Sequence, residues 1–279
     1  MGLKNLVVHV DFAKASRHRV EAAIELARIH EAHLTGVAVA AAPSVPAFVE
    51  GQVPVNVLQE ARHHLQERVA EIAEGFRKKA EAAGISYEVR QEIGMEHEVS
   101  NIVARHGRYS DMVVLGQVDP DDPAAGRMSM PEEVVMACGR PVLIIPFIGA
   151  KTLGTRVVVA WNAGREAARA VNDALPLLQR AQNVVVMSVN PRCGPRAHGE
   201  EPGADIATHL ARHKVKVDVQ HYAANNINVS DMLLSRVADD GDDLIVMGAY
   251  GHARMREMIL GGVTREILRS MTAPVLMSH

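Results

Sequence analysis

Short apolar runs alternate along this chain with longer stretches in which apolar positions recur every three or four residues, and the whole alternation occurs twice. NLVVHVDFAKASRHRVEAAIELARIHEAHLTGVAVA reads as strand, helix, strand, and TRVVVAWNAGREAARAVNDALPLLQRAQNVVVMSVN repeats that order from residue 155. The first strands are residues 3–10 and 156–161, β-branched runs closed by polar or small residues. In the second copy Val171, Ala174, Leu175 and Leu178 recur at helical spacing, and Pro176 must bend that helix or fall in its last turn. Second strands follow at 34–39 and 184–189.

The copies then diverge. Residues 42–57 form a proline-bearing loop ahead of a long amphipathic helix over 57–83, whereas 191–203 are rich in Pro and Gly and leave room for a short helix over 204–213. ISYEVRQE and VKVDVQHY alternate as third strands, with helices beginning near Glu96 and Val229. Fourth strands fall at 112–115 and 244–247, and each copy closes with a helix and a Pro-led strand, RPVLIIP or APVLMSH. Strands alternating with helices require right-handed crossovers and a parallel sheet covered on both faces. The expected fold is α/β, two tandem doubly wound, Rossmann-like five-stranded domains at 1–149 and 150–279, joined near 147–154.

The densest chemical signal lies after the helix that begins near Val229 in the second copy, in DDLIVMGAYGHARMREMILGGVTREILRSMTAPVLMSH. Gly248, Gly251, Gly261 and Gly262 stand between the strand at 244–247 and a helix over 264–271. Glycine admits positive φ and close approach to the backbone, and a helix N-terminus offers unpaired N–H donors to an anion, so phosphate is the natural guest. A tight connection between strand and helix is the alternative use of these glycines. Neither a GxxxxGK[ST] loop nor a GxGxxG after a first strand occurs.

The spacing Gly, two residues, Gly, nine residues, Gly resembles the ATP-binding loop of the universal stress protein family, and the order of elements resembles that family over essentially the whole chain as two tandem copies. The resemblance implies ATP, carried with magnesium, held by Gly248, Gly251, Gly261, Gly262 and the following Val263 and Thr264. It departs at Gly262, where family members carry Ser or Thr, leaving Thr264 as the next hydroxyl. The family's first strand ends in an Asp that contacts sugar or base; Asp11 and Asn162 match it here. Asn162 keeps a carbonyl acceptor and two N–H donors. Ala160, Trp161, Val189 and Met247 complete the implied lining, although Trp161 at a strand end can equally fill core. His252 and Arg254 could bind phosphate oxygens from within the loop, whereas Arg256 reads as solvated. In the first half LGQVDPDDPAAGRMSMPEEV keeps Gly116 but has Asp119 in place of the second glycine, with Asp121 and Asp122 beside it. Those charges repel a triphosphate, so one nucleotide per chain is expected.

Composition narrows the picture. The 279 residues are 48% hydrophobic but only 3% aromatic, so Ala, Val, Leu, Ile and Met must build the core, as suits helices on a parallel sheet. A formal net charge of −3 with dispersed basic residues lacks the footprint of a nucleic-acid binder. No segment has the length of a membrane span, and Cys138 and Cys193 lie far apart, which favours neither a disulfide framework nor a zinc site; a cytoplasmic protein is expected. The paired histidines His63 and His64 lack the partners of a ligand set. No GxSxG or HExxH arrangement occurs, so the enzyme reading extends at most to a slow ATPase. The reading is an ATP-binding regulatory or stress-response protein; a slow nucleotide hydrolase or transferase and a non-nucleotide interaction module are the alternatives. Family members pair through their final strands, which implies an intramolecular pseudo-dimer of the halves and leaves another surface for a homodimer.

Overall fold

The computed structural model describes residues 2–42, 55–191, 201–224, 227–250 and 262–279. The chain divides into two compact units, Leu3–Cys138 and Gly139–His279.

In the first unit β1 (Asn5–Val10), β2 (His33–Ala42), β3 (Tyr87–Met95) and β4 (Met112–Gly116) lie in the order β3-β2-β1-β4, all parallel. The crossovers carry α1 (Ser16–His30), α2 (Val55–Ala82) and, after a 3-10 turn at Glu96–Glu98, α3 (Val99–Gly107); α4 (Met130–Cys138) follows β4. Every residue of β4 is buried, and Leu6 and Val8 of β1 are completely so. Such continuous apolar strands are what a parallel sheet covered by helices demands. The short β-branched runs need that cover, because their backbone and side chains have no solvated face.

In the second unit β6 (Arg156–Ala160), β7 (Asn183–Val189), β8 (Val217–Tyr222) and β9 (Leu244–Gly248) repeat the arrangement. Here α5 (Arg165–Leu178), α6 (Ala204–Arg212), α7 (Val229–Asp240) and α8 (Gly262–Ser270) are the helices. Pro176 lies in the last turn of α5, so the helical hydrogen bond it removes is among the last of the helix and any bend falls at its end. The registers agree: Leu6 stands opposite Met112 in the first unit as Val157 stands opposite Leu244 in the second.

The fifth strands differ from a simple duplication. β10 (Val275–Ser278) runs parallel to β9, and β5 (Val142–Ile145) runs antiparallel to β10, pairing Val142 with Met277 and Ile144 with Val275. By compactness β5 falls in the second unit, whose strand order is β5-β10-β9-β6-β7-β8. Two four-residue apolar strands, led by Pro141 and Pro274, thus cover each other's hydrogen-bonding edges. Both units are doubly wound α/β structures in tandem.

Candidate functional site

In the second unit β6 has β7 on one side and β9 on the other, so the strand order reverses at β6. Crossovers leave in opposite directions there, and the carboxyl ends of the strands at such a reversal are the usual ligand position in an open α/β sheet. Ala160 and Met247 end the two strands side by side. Ala160 and Val189 are half-buried, and Met247 is buried. Trp161 is also half-buried and is fixed to β7: its N–H donates to the Met187 carbonyl at 2.8 Å, and its own carbonyl accepts from Ser188 Oγ at 3.0 Å.

Asn162 is exposed, and its Oδ1 accepts the Gly164 N–H at 2.9 Å. That turn, with Ala163 at φ 55°, launches α5. The carbonyl acceptor that the sequence leaves open is therefore taken by the chain itself, and the two N–H donors remain.

Gly248 closes β9 against the first turn of α5. A Cβ on it would overlap the backbone of Glu166 and Ala167, 2.5 Å from the Glu166 carbonyl carbon. This glycine is thus required by packing alone. Beyond it the Ala249 N–H donates to Ser278, and Tyr250 adopts a left-handed φ of 60° with its N–H 3.5 Å from Thr264 Oγ1. Thr264 is buried, whereas Gly262 and Val263 are exposed at the start of α8, and the space where a Cβ on Gly262 would stand is open. Gly251, His252, Arg254 and Gly261 lie outside the described residues.

The sequence pattern does not single out Glu166 and His279, which meet at the same edge. Glu166 is buried in the first turn of α5 and paired with Arg165. Burial alone would raise its pKa, but the Arg165 hydrogen bond, its own backbone N–H and the nearby His279 together hold the carboxyl below its ordinary value. The ring of His279 bonds the Ala249 carbonyl through Nδ1 at 3.1 Å and stands edge-on to Tyr250. Among the described residues no group of three or more His, Cys, Asp or Glu could hold a metal ion.

The first unit has the same turn with different occupants. Asp11 Oδ1 accepts the Ala13 N–H at 3.0 Å, the counterpart of the Asn162 turn. Arg19, only 4% exposed, forms an ion pair with Asp11 and donates from Nε to the His9 carbonyl at 2.7 Å. Its guanidinium fills the place beside β4 that α5 backbone fills in the other unit: a Cβ on Gly116 would lie 2.8 Å from Arg19 Nη1. Burial pushes Asp11 up, but the Arg19 charge beside it prevails and holds it below the ordinary carboxylate range. The loop after β4 then folds back. Asp122, 6% exposed, accepts the Lys14 N–H at 2.7 Å and the Ala124 N–H at 3.1 Å, which lowers its pKa. Asp122 thus ties that loop to the turn before α1 instead of presenting its charge outward. Both Arg19 and Ala170 stand eight positions beyond the turn residue, at 11 and 162. Ala170 is fully buried in α5, so the second unit has no cation at that position. In the sequence Arg19 follows Arg17 and His18, and nothing there marks it as the buried one.

Comparison with known proteins matches this fold. The model of the universal stress protein family matches residues 155–279. A curated universal stress protein, Slr1230 of Synechocystis, is 45% identical over 38 residues, 14% of this chain and 13% of its own length. Among solved structures, a universal stress protein from Archaeoglobus fulgidus superposes with a TM-score of 0.70 at 18% identity, over 98% of this chain and 95% of its own. The functionally unknown protein PA1789 from Pseudomonas aeruginosa superposes at 0.55 with 12% identity, over 99% of this chain and 92% of its own. No helix among the described residues is long and apolar enough to cross a membrane. Residues 155–279 thus match the universal stress protein family model, and the fold over nearly the whole chain is similar to that of a solved universal stress protein.

Proposed function

We propose that this chain is a nucleotide-binding regulatory protein of the cytoplasm, holding one ATP with magnesium at the carboxyl edge of β6 and β9. The observation that carries the reading is the contrast at the two switch points. In the first unit Arg19 is buried beside Asp11 and Gly116, and Asp122 ties the loop down; in the second, Ala170 stands in place of the arginine, and the Asn162 turn and the start of α8 are both exposed. The phosphates rest on the glycine loop, with the exposed N-terminal turn of α8 as donor. The base lies toward the half-buried ends of β6 and β7 at Ala160, Trp161 and Val189. Nucleotide occupancy then biases conformation or partner choice, and the two halves of the chain act as an intramolecular pseudo-dimer.

Mass analysis of ligand released from freshly purified protein, without added nucleotide, tests this reading. A purine nucleotide near one per chain is expected. Protein that carries none and takes up none when ATP and magnesium are added would rule the reading out.

A further inference from the structure

In the first unit β3 pairs with β2 over nine residues, and among the described residues no strand lies on its other side. The Leu34 N–H donates to the Ser86 carbonyl at 2.9 Å. Alternation along a parallel ladder therefore turns the backbone groups of Glu88, Arg90, Glu92 and Gly94 toward β2 and those of Tyr87, Val89, Gln91, Ile93 and Met95 outward. The Met95 N–H agrees with this phase, since it donates to Glu98 Oε2 at 2.8 Å and not to β2. Side chains alternate too. Tyr87 meets Phe76 of α2 edge-on, so the α2 face of this strand carries Tyr87, Val89, Ile93 and Met95, of which Ile93 and Met95 are each 39% exposed. The α3 face carries Glu88, Arg90 and Glu92, where Arg90 pairs with Glu88 and meets His106, and Glu92 pairs with Arg105.

An open edge of this length is a template for another strand, and the pattern on this one is complementary to itself. Two copies of β3 laid antiparallel about a two-fold axis at Gln91 set the outward residues opposite one another, Val89 against Ile93 and Tyr87 against Met95. Arg90 of each copy then stands directly opposite Glu92 of the other, a favourable cross-strand pair that the symmetry makes twice. Other registers lose this. An axis at residue 90 opposes Arg90 to itself and Glu88 to Glu92, an axis at residue 92 opposes Glu92 to itself, and an axis at 89 or 93 leaves four of the nine residues without a partner. The end strand of the second unit, β8, has no such pattern: Asp218 is its one Asp, Glu, Lys or Arg, and Gln220 stands two residues on.

We propose that β3 is a self-association surface, on which a second copy of this chain adds its own β3 antiparallel in the register centred on Gln91, giving a two-fold dimer with a sheet continuous across the junction. This dimer is independent of the nucleotide reading.

Sedimentation equilibrium of the full chain tests it, with Arg90→Glu and Glu92→Arg studied alone and mixed. The native chain should dimerise. Arg90→Glu sets glutamate against glutamate at both symmetric positions and Glu92→Arg sets arginine against arginine, so each change should weaken the dimer roughly tenfold or more. An equimolar mixture of the two variants restores opposite charges at both positions and should recover a dimer with one chain of each, which a local defect in either variant would not produce. Gln91→Pro removes an outward N–H at the axis and leaves the β2 ladder intact, so it should weaken the dimer while the melting temperature holds. A native chain still monomeric at about 0.5 mM, a dimer that persists in both charge variants, or charge variants that stay apart when mixed would overturn the proposal.

Discussion

Arg19 of α1 is buried against Asp11 at the end of β1, and in the second unit the corresponding pair is Ala170 and Asn162. The charge pair is mutually required, because Asp11 or Arg19 alone in this buried surrounding would be desolvated without compensation. Removing one partner should therefore cost far more than removing both. Arg19→Leu is expected to destabilise the first unit by about 3–5 kcal/mol, and the double change with Asp11→Asn to recover much of that. Denaturant unfolding of the two variants checks this, and equal losses would show that the pair does not carry the local stability.

His9 gives the same unit a pH dependence. Burial and the Arg19 charge depress its pKa from 6.5 to about 4 against the opposing pull of Asp11. The unfolded chain therefore binds the proton more readily between those values, and stability falls as pH drops from about 6.5 to about 4, by roughly 2–4 kcal/mol. Below that window the His9 contribution is constant. His9→Gln removes this titration, so its melting temperature should vary less than that of the native protein between pH 7 and pH 4.5. Parallel curves would exclude His9 as the source.

Two glycines at the candidate site should part company on substitution by alanine. Gly248→Ala drives a methyl into the α5 backbone, and about 1–3 kcal/mol or more of destabilisation is expected from that overpacking. Gly262 has open space at its Cβ position and a place in α8, where alanine is the better helix former by about 1 kcal/mol. Gly262→Ala should leave thermal stability unchanged or raised, so any affinity it loses reports on the ligand. If Gly248→Ala melted like the native protein, the close packing of β9 on α5 would be wrong.

The alternation of apolar runs was enough to lay out both sets of strands and helices, because buried parallel strands and amphipathic helices leave different periods in a chain. It placed Asn162 and Gly248 at neighbouring strand ends for the same reason. It could not show that β5 pairs with β10, since four apolar residues fit any sheet edge equally well. Nor could it show that Gly248 serves packing, because a glycine spacing does not distinguish an approaching helix from an approaching phosphate. Arg19 reads in sequence as one more surface residue among Arg17 and His18, and only the fold turns it inward.

Loop glycines separate binding from folding by a second route. Gly251→Leu or Gly261→Leu should weaken ATP binding at least tenfold while the thermal transition stays in place, as bulk in a phosphate loop bars close backbone approach. Unchanged calorimetric affinity in both variants would move the ligand to another part of the unit.

The most direct measurement of the central claim is the stoichiometry of magnesium ATP on the full chain, read by calorimetry for the native protein and for Arg19→Leu. One nucleotide per chain is predicted for both, because Asp122 still ties the first-unit loop to Lys14 after the arginine is gone. Two equivalent sites in the native protein, or one that vanishes when only first-unit residues are changed in a protein that remains folded, would contradict the account.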